Sequence, residues 1–436
     1  MPSAISPSRP FNIAIIGGGI SGLSLALTLL DHNIPITIYE AASGFSEIGA
    51  GVAFGPNAGR AMEYLSPKIL QAFRKCRTGN GDGAKANVWF TVRVGDDRKA
   101  DKDGFVKKGV KVGDPCFVVP LPEDGERGGV YRAHFLDELV KDVPEDVAKF
   151  NKRLVDMEEA ADGSGDMVLK FADGSSAQHT AVIGCDGIKS MTRKWVLGRD
   201  NPASNAVFSG KYAYRGLIHM DKAVELLGDD VARNGQMFLG YHGHLLTFPI
   251  AHGKVMNVVA FRSRETWDND NWVVTTSKED MQADFAEWGP HVQKIVAAME
   301  KPDIWALFMH PPCDSFTKGR VVLLGDAAHA STPHQGAGAG MGIEDACVIS
   351  NLIKDANNTD ELMRAFAAYD QVRRGRPQEN VARSFESGKL YDFELELEGD
   401  DMDKIEHNFV NRMKWVWNFD MNAHLTEAQK IMRQGA

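Results

Sequence analysis

The chain has 436 residues, 43% of them hydrophobic and 25% charged, an ordinary globular composition long enough for more than one hydrophobic core. Its net charge of −10 argues against duplex nucleic acid or an anionic membrane surface as a general partner, while leaving room for a local basic pocket. The five cysteines (Cys76, Cys116, Cys185, Cys313 and Cys347) include no Cys-x-x-Cys pair and are odd in number, which disfavours a disulfide framework or structural zinc and fits a reducing, cytoplasmic setting.

Met1 to Pro10 is polar and proline-bearing, unlike a secretory signal. No run of about 18 apolar residues occurs, so stable membrane insertion is not expected. The first structured element is Phe11-Asn-Ile-Ala-Ile-Ile16, an almost continuous apolar run suited to a strand buried on both faces. A glycine cluster follows, then a helical segment from Leu23 to Leu30 and a second strand from Ile34 to Tyr39. This order is a βαβ unit. Residues from Arg77 to Gly113, rich in Gly, Lys and Asp, predict irregular or hairpin structure. Tyr131 to Val143 reads as a helix with Pro144 just beyond it. Val155 to Ala181 partly alternates and carries Asp-Gly turns, predicting antiparallel strands. Ala181-Val-Ile-Gly184 and Arg320-Val-Val-Leu-Leu324 are further buried strands, with a β-rich stretch from Val207 to Arg264 between them. After Asp355 the pattern is mostly helical.

Gly17-Gly18-Gly19-Ile20-Ser21-Gly22 fits G-x-G-x-x-G between strand and helix. Gly17 permits the tight turn, Gly19 lets the backbone approach a pyrophosphate, and Gly22 lets helix and strand pack closely. The helix N-terminus offers free N–H groups to phosphate. Glu40, 18 positions beyond Gly22 at the end of the second strand, can accept hydrogen bonds from an adenosine ribose and would repel a 2′-phosphate. These residues by themselves suit either NAD or FAD.

Two later motifs narrow the choice. Gly184-Cys-Asp186-Gly187-Ile-Lys-Ser190-Met-Thr-Arg193 follows one buried strand. Gly325-Asp326-Ala-Ala-His329 follows another and runs on into Pro333-His334-Gln-Gly336-Ala-Gly338-Ala339-Gly340-Met-Gly342. With these three motifs in this order, the chain resembles the FAD-dependent monooxygenases that include p-hydroxybenzoate hydroxylase. The resemblance covers residues 11 to 380.

It implies an α/β fold, α+β overall: a Rossmann-like FAD-binding domain with an interleaved β-sheet substrate domain and a helical C-terminal region. The expected FAD-binding domain comprises residues 1–76, 114–200 and 290–355, the substrate domain 77–113 and 201–289, and the helical region 356–436. FAD would be the bound cofactor, NADH or NADPH a transient reductant, and O2 and a small phenolic compound the substrates. A monomer or homodimer is expected.

Asp326 would hold ribityl hydroxyls, and Gly338, Ala339 and Gly340 would present backbone N–H groups to the flavin at a helix start. Asp186 would serve FAD and the passing nicotinamide nucleotide, supported by Arg193. Arg132, at the start of its helix, would lie beside the FAD pyrophosphate. Ala53 falls in Phe45-Ser-Glu-Ile-Gly-Ala-Gly-Val-Ala-Phe-Gly-Pro-Asn57, which is similar to salicylate hydroxylases and to fungal phenol-dearomatising hydroxylases. Thr332 to Gly340 is similar to the former and Lys211 to Ile218 to the latter.

For the ring chemistry the resemblance implicates Arg215 in holding a phenolate, unless it pairs with an acidic neighbour on the sheet. His334, His242 and His244 are candidate proton acceptors, His334 foremost because it adjoins the flavin loop. Tyr214 and Tyr241 read as packing. Phe248 stands where the dearomatising group has a tyrosine, which favours a plain apolar wall. The expectation is hydroxylation of a salicylate-like acid to a catechol with loss of CO2 through a flavin hydroperoxide. The alternative is hydroxylation, dearomatising or not, of a polyketide-type phenol without CO2 loss. No metal site is expected.

Overall fold

Ile13–Ile16, buried at every position, sits at the centre of a six-stranded sheet. Parallel neighbours Ile36–Tyr39 and Ala181–Gly184 flank it, and Val321–Leu323 lies beyond. Branched apolar side chains on both faces allow helices to cover both sides of such a sheet. The helix after the glycine turn runs Ile20–Asp31 and packs on the long helix Gly338–Ile353. The computed structural model describes residues 9–45, 51–96 and 110–435. Part of the Phe45–Asn57 segment (46–50) and part of the 77–113 stretch (97–109) lie outside the described residues.

The expected antiparallel strands form a three-stranded unit, Leu154–Glu159, Met167–Phe171 and Ser176–His179. The second large sheet has eight strands, and two of them fall outside the expected substrate domain. Pro115–Pro120 pairs with Val88–Val94, and Asp303–Met309 pairs with Val207–His219. The helix Pro290–Ala298 also packs there, through Val292, Ile295 and Val296. The boundaries at 114 and 290 therefore move to about 121 and 310 as judged by sheet membership. Each displaced strand is held by a partner distant in sequence, and local alternation carries no record of that pairing.

The C-terminal helices are shared between two cores. Leu362, Phe366, Tyr369, Met421 and Leu425 join the nucleotide-sheet core. Leu390, Tyr391, Phe409, Met413 and Trp417 join the core beneath the eight-stranded sheet. Trp417 is thus internal packing. A buried ion cluster ties the helices together: Arg373 meets Glu344 at 2.9 Å and Asp345 at 2.7 Å, and Arg376 meets Glu344 at 2.8 Å. No helix among the described residues is long and apolar enough to cross a membrane.

Candidate active site

A cavity of about 850 Å³ runs from Glu40 and the glycine turn, past Arg132 and Asp326, to a chamber walled by the eight-stranded sheet. Gly17, at φ +105°, stands where a Cβ would lie 2.3 Å from the carbonyl oxygen of Cys185. At Gly22 a Cβ would lie 2.1 Å from the Gly17 carbonyl oxygen. Both positions exclude any side chain, as a close-packed phosphate-binding turn requires. Glu40 accepts from the Gly18 and Ala42 backbone N–H groups, both at 2.8 Å, and so braces the turn while its remaining lone pairs face the cavity. Gly19, Ala53, Gly338 and Ala339 also line it.

Three cofactor expectations are altered by the geometry. Arg193 is fully buried outside the cavity lining, donating to the backbone carbonyls of Ala203, Ala327, Ala328 and Pro311. It fixes the chain beside Asp326 and does not face a cofactor. Gly340 is not on the cavity wall; a Cβ there would crowd Ala58 at 3.2 Å, so its smallness serves helix packing. Asp186 lines the cavity, but its carboxylate caps the helix Met191–Leu197, accepting from Ser190 Oγ, Met191 N, and Thr192 N and Oγ1. The motif is legible in sequence, whereas the direction of each side chain is not.

The chamber is built on strand alternation. On Val207–His219, Tyr212 and Tyr214 point away from the cavity and donate to Asp284 at 2.6 and 2.8 Å. Arg215 therefore turns to the opposite face and lines the chamber, its guanidinium 4.7 Å from the Trp305 ring centroid. Among the described residues it has no carboxylate partner, so the expected alternative of an acidic neighbour on the sheet is not realised. Burial, then the nearby Arg132 charge, push its pKa down to about 10, which leaves it a cation at neutral pH. Arg132 lines the same cavity, within electrostatic reach of Asp326.

Leu246, Phe248, Val259 and Phe261 supply an apolar wall, with Trp89 and Phe90 alongside. His334 is 4% exposed, its two ring nitrogens have no hydrogen-bond partner among the described residues, and it lines the chamber. Burial, followed by the neighbouring His244, holds its pKa well below the usual histidine value, so the ring is neutral. The adjacent Gln335 is also buried, with both amide atoms unpartnered among the described residues. Buried polar groups are seldom left unpaired unless a ligand completes them. The turn, the braced carboxylate and these orphaned groups fit FAD in the long arm and a small ring in the chamber.

The other candidates separate. Tyr241 bonds Asp400, and His242 is exposed against Glu394 at 3.1 Å. His244 is fully buried, with Nδ1 2.6 Å from Asp392. Asp392 and Lys211, which make a cluster behind His334, gave no sequence signal, because Asp392 lies 181 positions from Lys211 on the C-terminal helical region. No group of residues that could hold a metal occurs among the described residues.

Fold and cavity together define a flavoprotein with a chamber walled by aromatic and apolar side chains. Residues 247–384 match the family model described as "FAD binding domain". The chain is 40% identical over 427 residues to 6-methylsalicylate 1-monooxygenase atA of Aspergillus terreus, covering 97% of this chain and 93% of that protein. It is 37% identical over 434 residues to a salicylate hydroxylase of Pseudomonas putida, covering 96% and 94%. A solved salicylate hydroxylase substrate complex superposes with a TM-score of 0.82 at 32% identity, covering 97% of this chain and 98% of that one. The chain belongs to the family of FAD-dependent monooxygenases that includes the salicylate hydroxylases, and FAD is its cofactor.

Proposed function

We propose that the protein hydroxylates a salicylate-type phenolic acid at the carbon bearing the carboxylate, giving a catechol and CO2. The observation that carries this reading is Arg215, a half-buried cation without a carboxylate partner among the described residues, beside Arg132 in a chamber otherwise walled by apolar and aromatic side chains. An unpaired buried charge is costly unless a ligand completes it. A compact aromatic anion does so: its carboxylate or phenolate pairs with the guanidinium fork, and its ring packs on Phe248 and Phe261.

Glu40, Gly17, Gly19, Arg132, Asp326, Gly338 and Ala339 would hold the cofactor along the arm of the cavity. Bound FAD, reduced by NADH or NADPH, supplies the activated oxygen. The chain's own part is to orient the ring, exclude water and manage one proton. Neutral His334 accepts the phenol proton, which raises electron density at the ortho carbon that carries the carboxylate. Arg215 balances the resulting negative charge. One oxygen atom enters the ring, the other leaves as water, and the carboxyl carbon leaves as CO2.

The test is oxidation of NADH and of NADPH by the purified yellow protein with and without salicylate and 6-methylsalicylate, with products resolved by mass. Catechol-type product with stoichiometric CO2 upholds the reading. Faster oxidation yielding only hydrogen peroxide would make these acids effectors of an enzyme with another phenol as substrate. A product that keeps the carboxyl carbon would shift the reading to hydroxylation without CO2 loss.

A further inference from the structure

His334 does not stand alone. Its ring lies 5.3 Å, centroid to centroid, from that of His244, tilted by 54°. His244 is clamped: Phe261 stacks on it at 4.2 Å, and Asp392 Oδ1 sits 2.6 Å from its Nδ1. That bond orients the ring: Nδ1 faces the carboxylate, and Nε2 is buried with no hydrogen-bond partner among the described residues. The spacing brings facing ring nitrogens to about hydrogen-bond distance after a small ring rotation, or spans them with one water. A His334 N–H aimed at His244 Nε2 leaves the other His334 nitrogen as a lone pair for the chamber.

Behind His244 the polar chain continues outward. Lys211, on the same strand face as Arg215, donates to Asp392 Oδ2, to Glu394 at 2.5 Å and to Ser263 Oγ at 2.7 Å. Ser263 Oγ lies 3.5 Å from Asp392 Oδ2 and 2.6 Å from Glu394 Oε1. Glu394 Oε1 is 3.1 Å from Nδ1 of His242, whose side chain is 65% exposed. The chain of polar groups thus runs from the chamber to solvent. In it one lysine, Lys211, faces two carboxylates, Asp392 and Glu394. The titratable groups around His334 are His244, Asp392 and Lys211, with the Ser384 backbone beside it and the Tyr391 ring edge-on to His244 at 5.2 Å.

The geometry points to a proton relay in which the His244–Asp392 pair takes the proton that His334 removes from the bound phenol, and Ser263, Glu394 and His242 pass it to water. The inference rests on the phenol-hydroxylating reading. Each step moves one proton: phenol O–H to the His334 lone pair, the far His334 N–H to His244 Nε2, and His244 Nδ1–H to Asp392. From there it passes through the Ser263 hydroxyl and Glu394 to His242. Lys211 donates to both carboxylates and positions them. His334 touches the ligand; His244 and Asp392 act through it.

The relay is tested on FAD-loaded protein without nicotinamide. The probe is 4-nitrosalicylate, whose absorbance reports ionisation of its own phenol. In the unaltered protein the bound phenol should ionise at lower pH than the free one. His244→Gln and Asp392→Asn should each weaken that shift by about tenfold in proton affinity or more with FAD content retained, Asp392→Asn at a lower melting temperature because it takes one carboxylate from the buried Lys211. His242→Asn, exposed and at a position of φ +57° that asparagine tolerates, should leave the equilibrium shift alone and slow ionisation after a pH jump. If His334→Gln abolishes the shift while all three of these variants keep it and its rate, His334 works alone and the relay is overturned. If 4-nitrosalicylate fails to perturb the flavin absorbance, the salicylate reading falls, and the same titration with 4-nitrophenol decides the relay. Binding of neither phenol overturns both.

Discussion

Replacing Arg215 by methionine should move binding and stability in opposite directions. The side chain keeps its length and loses its charge. A carboxylate about 4 Å from the guanidinium, at the effective dielectric of a partly buried site, gains about 4 kcal/mol of Coulomb energy. Desolvation and the second cation, Arg132, reduce what is lost on substitution to about 3 kcal/mol, or roughly a hundredfold in Kd. The resting protein gives the opposite sign. Burial beside Arg132 lowers the Arg215 pKa to about 10, and the group stays protonated below that value, so the penalty is present in full at neutral pH and lifts only as pH rises through 10. After allowing for relaxation this is about 2 kcal/mol, of which loss of the Trp305 contact takes back about 1 kcal/mol. The FAD-loaded variant should therefore melt about 2 °C higher than the unaltered protein when no aromatic acid is present. Salicylate titration followed by flavin absorbance, together with differential scanning of the same samples, reads both effects. Affinity within about threefold of the unaltered protein would remove Arg215 from anion binding, and a lower melting temperature would refute the idea that its charge awaits a ligand.

Two further outcomes test the frame of the site. Gly22→Ala puts a methyl group against the Gly17 carbonyl, backbone that cannot step aside, so the purified protein should retain almost no flavin; Gly44→Ala, where a Cβ meets nothing within 4 Å among the described residues, should stay yellow. Glu344 is held ionised at a pKa of about 2: burial opposes this, but Arg376 and Arg373 outweigh it, so its stabilising contribution is intact above the ordinary glutamate range near 4.5 and fades as pH falls toward 2. Glu344→Gln should cost about 3 kcal/mol at neutral pH and flatten the acid limb of a denaturant-midpoint profile, and an unchanged acid limb would show that this cluster does not set acid stability.

The nucleotide-binding half was legible because its constraints are local. A strand buried on both faces must be apolar throughout, as at Ile13–Ile16, and a turn that admits no Cβ must be glycine, as at Gly17 and Gly22. Those requirements leave a mark in consecutive residues, and the same holds for Glu40 and for the Gly338–Ala339 helix start. Side-chain direction was less accessible. Arg193 and Gly340 belong to the right segments, yet one anchors buried carbonyls and the other packs a helix.

What only the tertiary structure decided is whatever depends on distant residues meeting. Asp303–Met309 joins the eight-stranded sheet because Val207–His219 offers it a partner edge. Strand alternation then sends Tyr214 to Asp284 and Arg215 to the chamber, a choice that one residue of register would reverse. The C-terminal helices bring Asp392 against Lys211 and His244, so that two histidines with no distinguishing local pattern become a clamped pair and an exposed terminus. The sequence determined that a flavin is bound; the fold determined which side chains line its cavity, since only packing decides which polar groups lose water and which find one another.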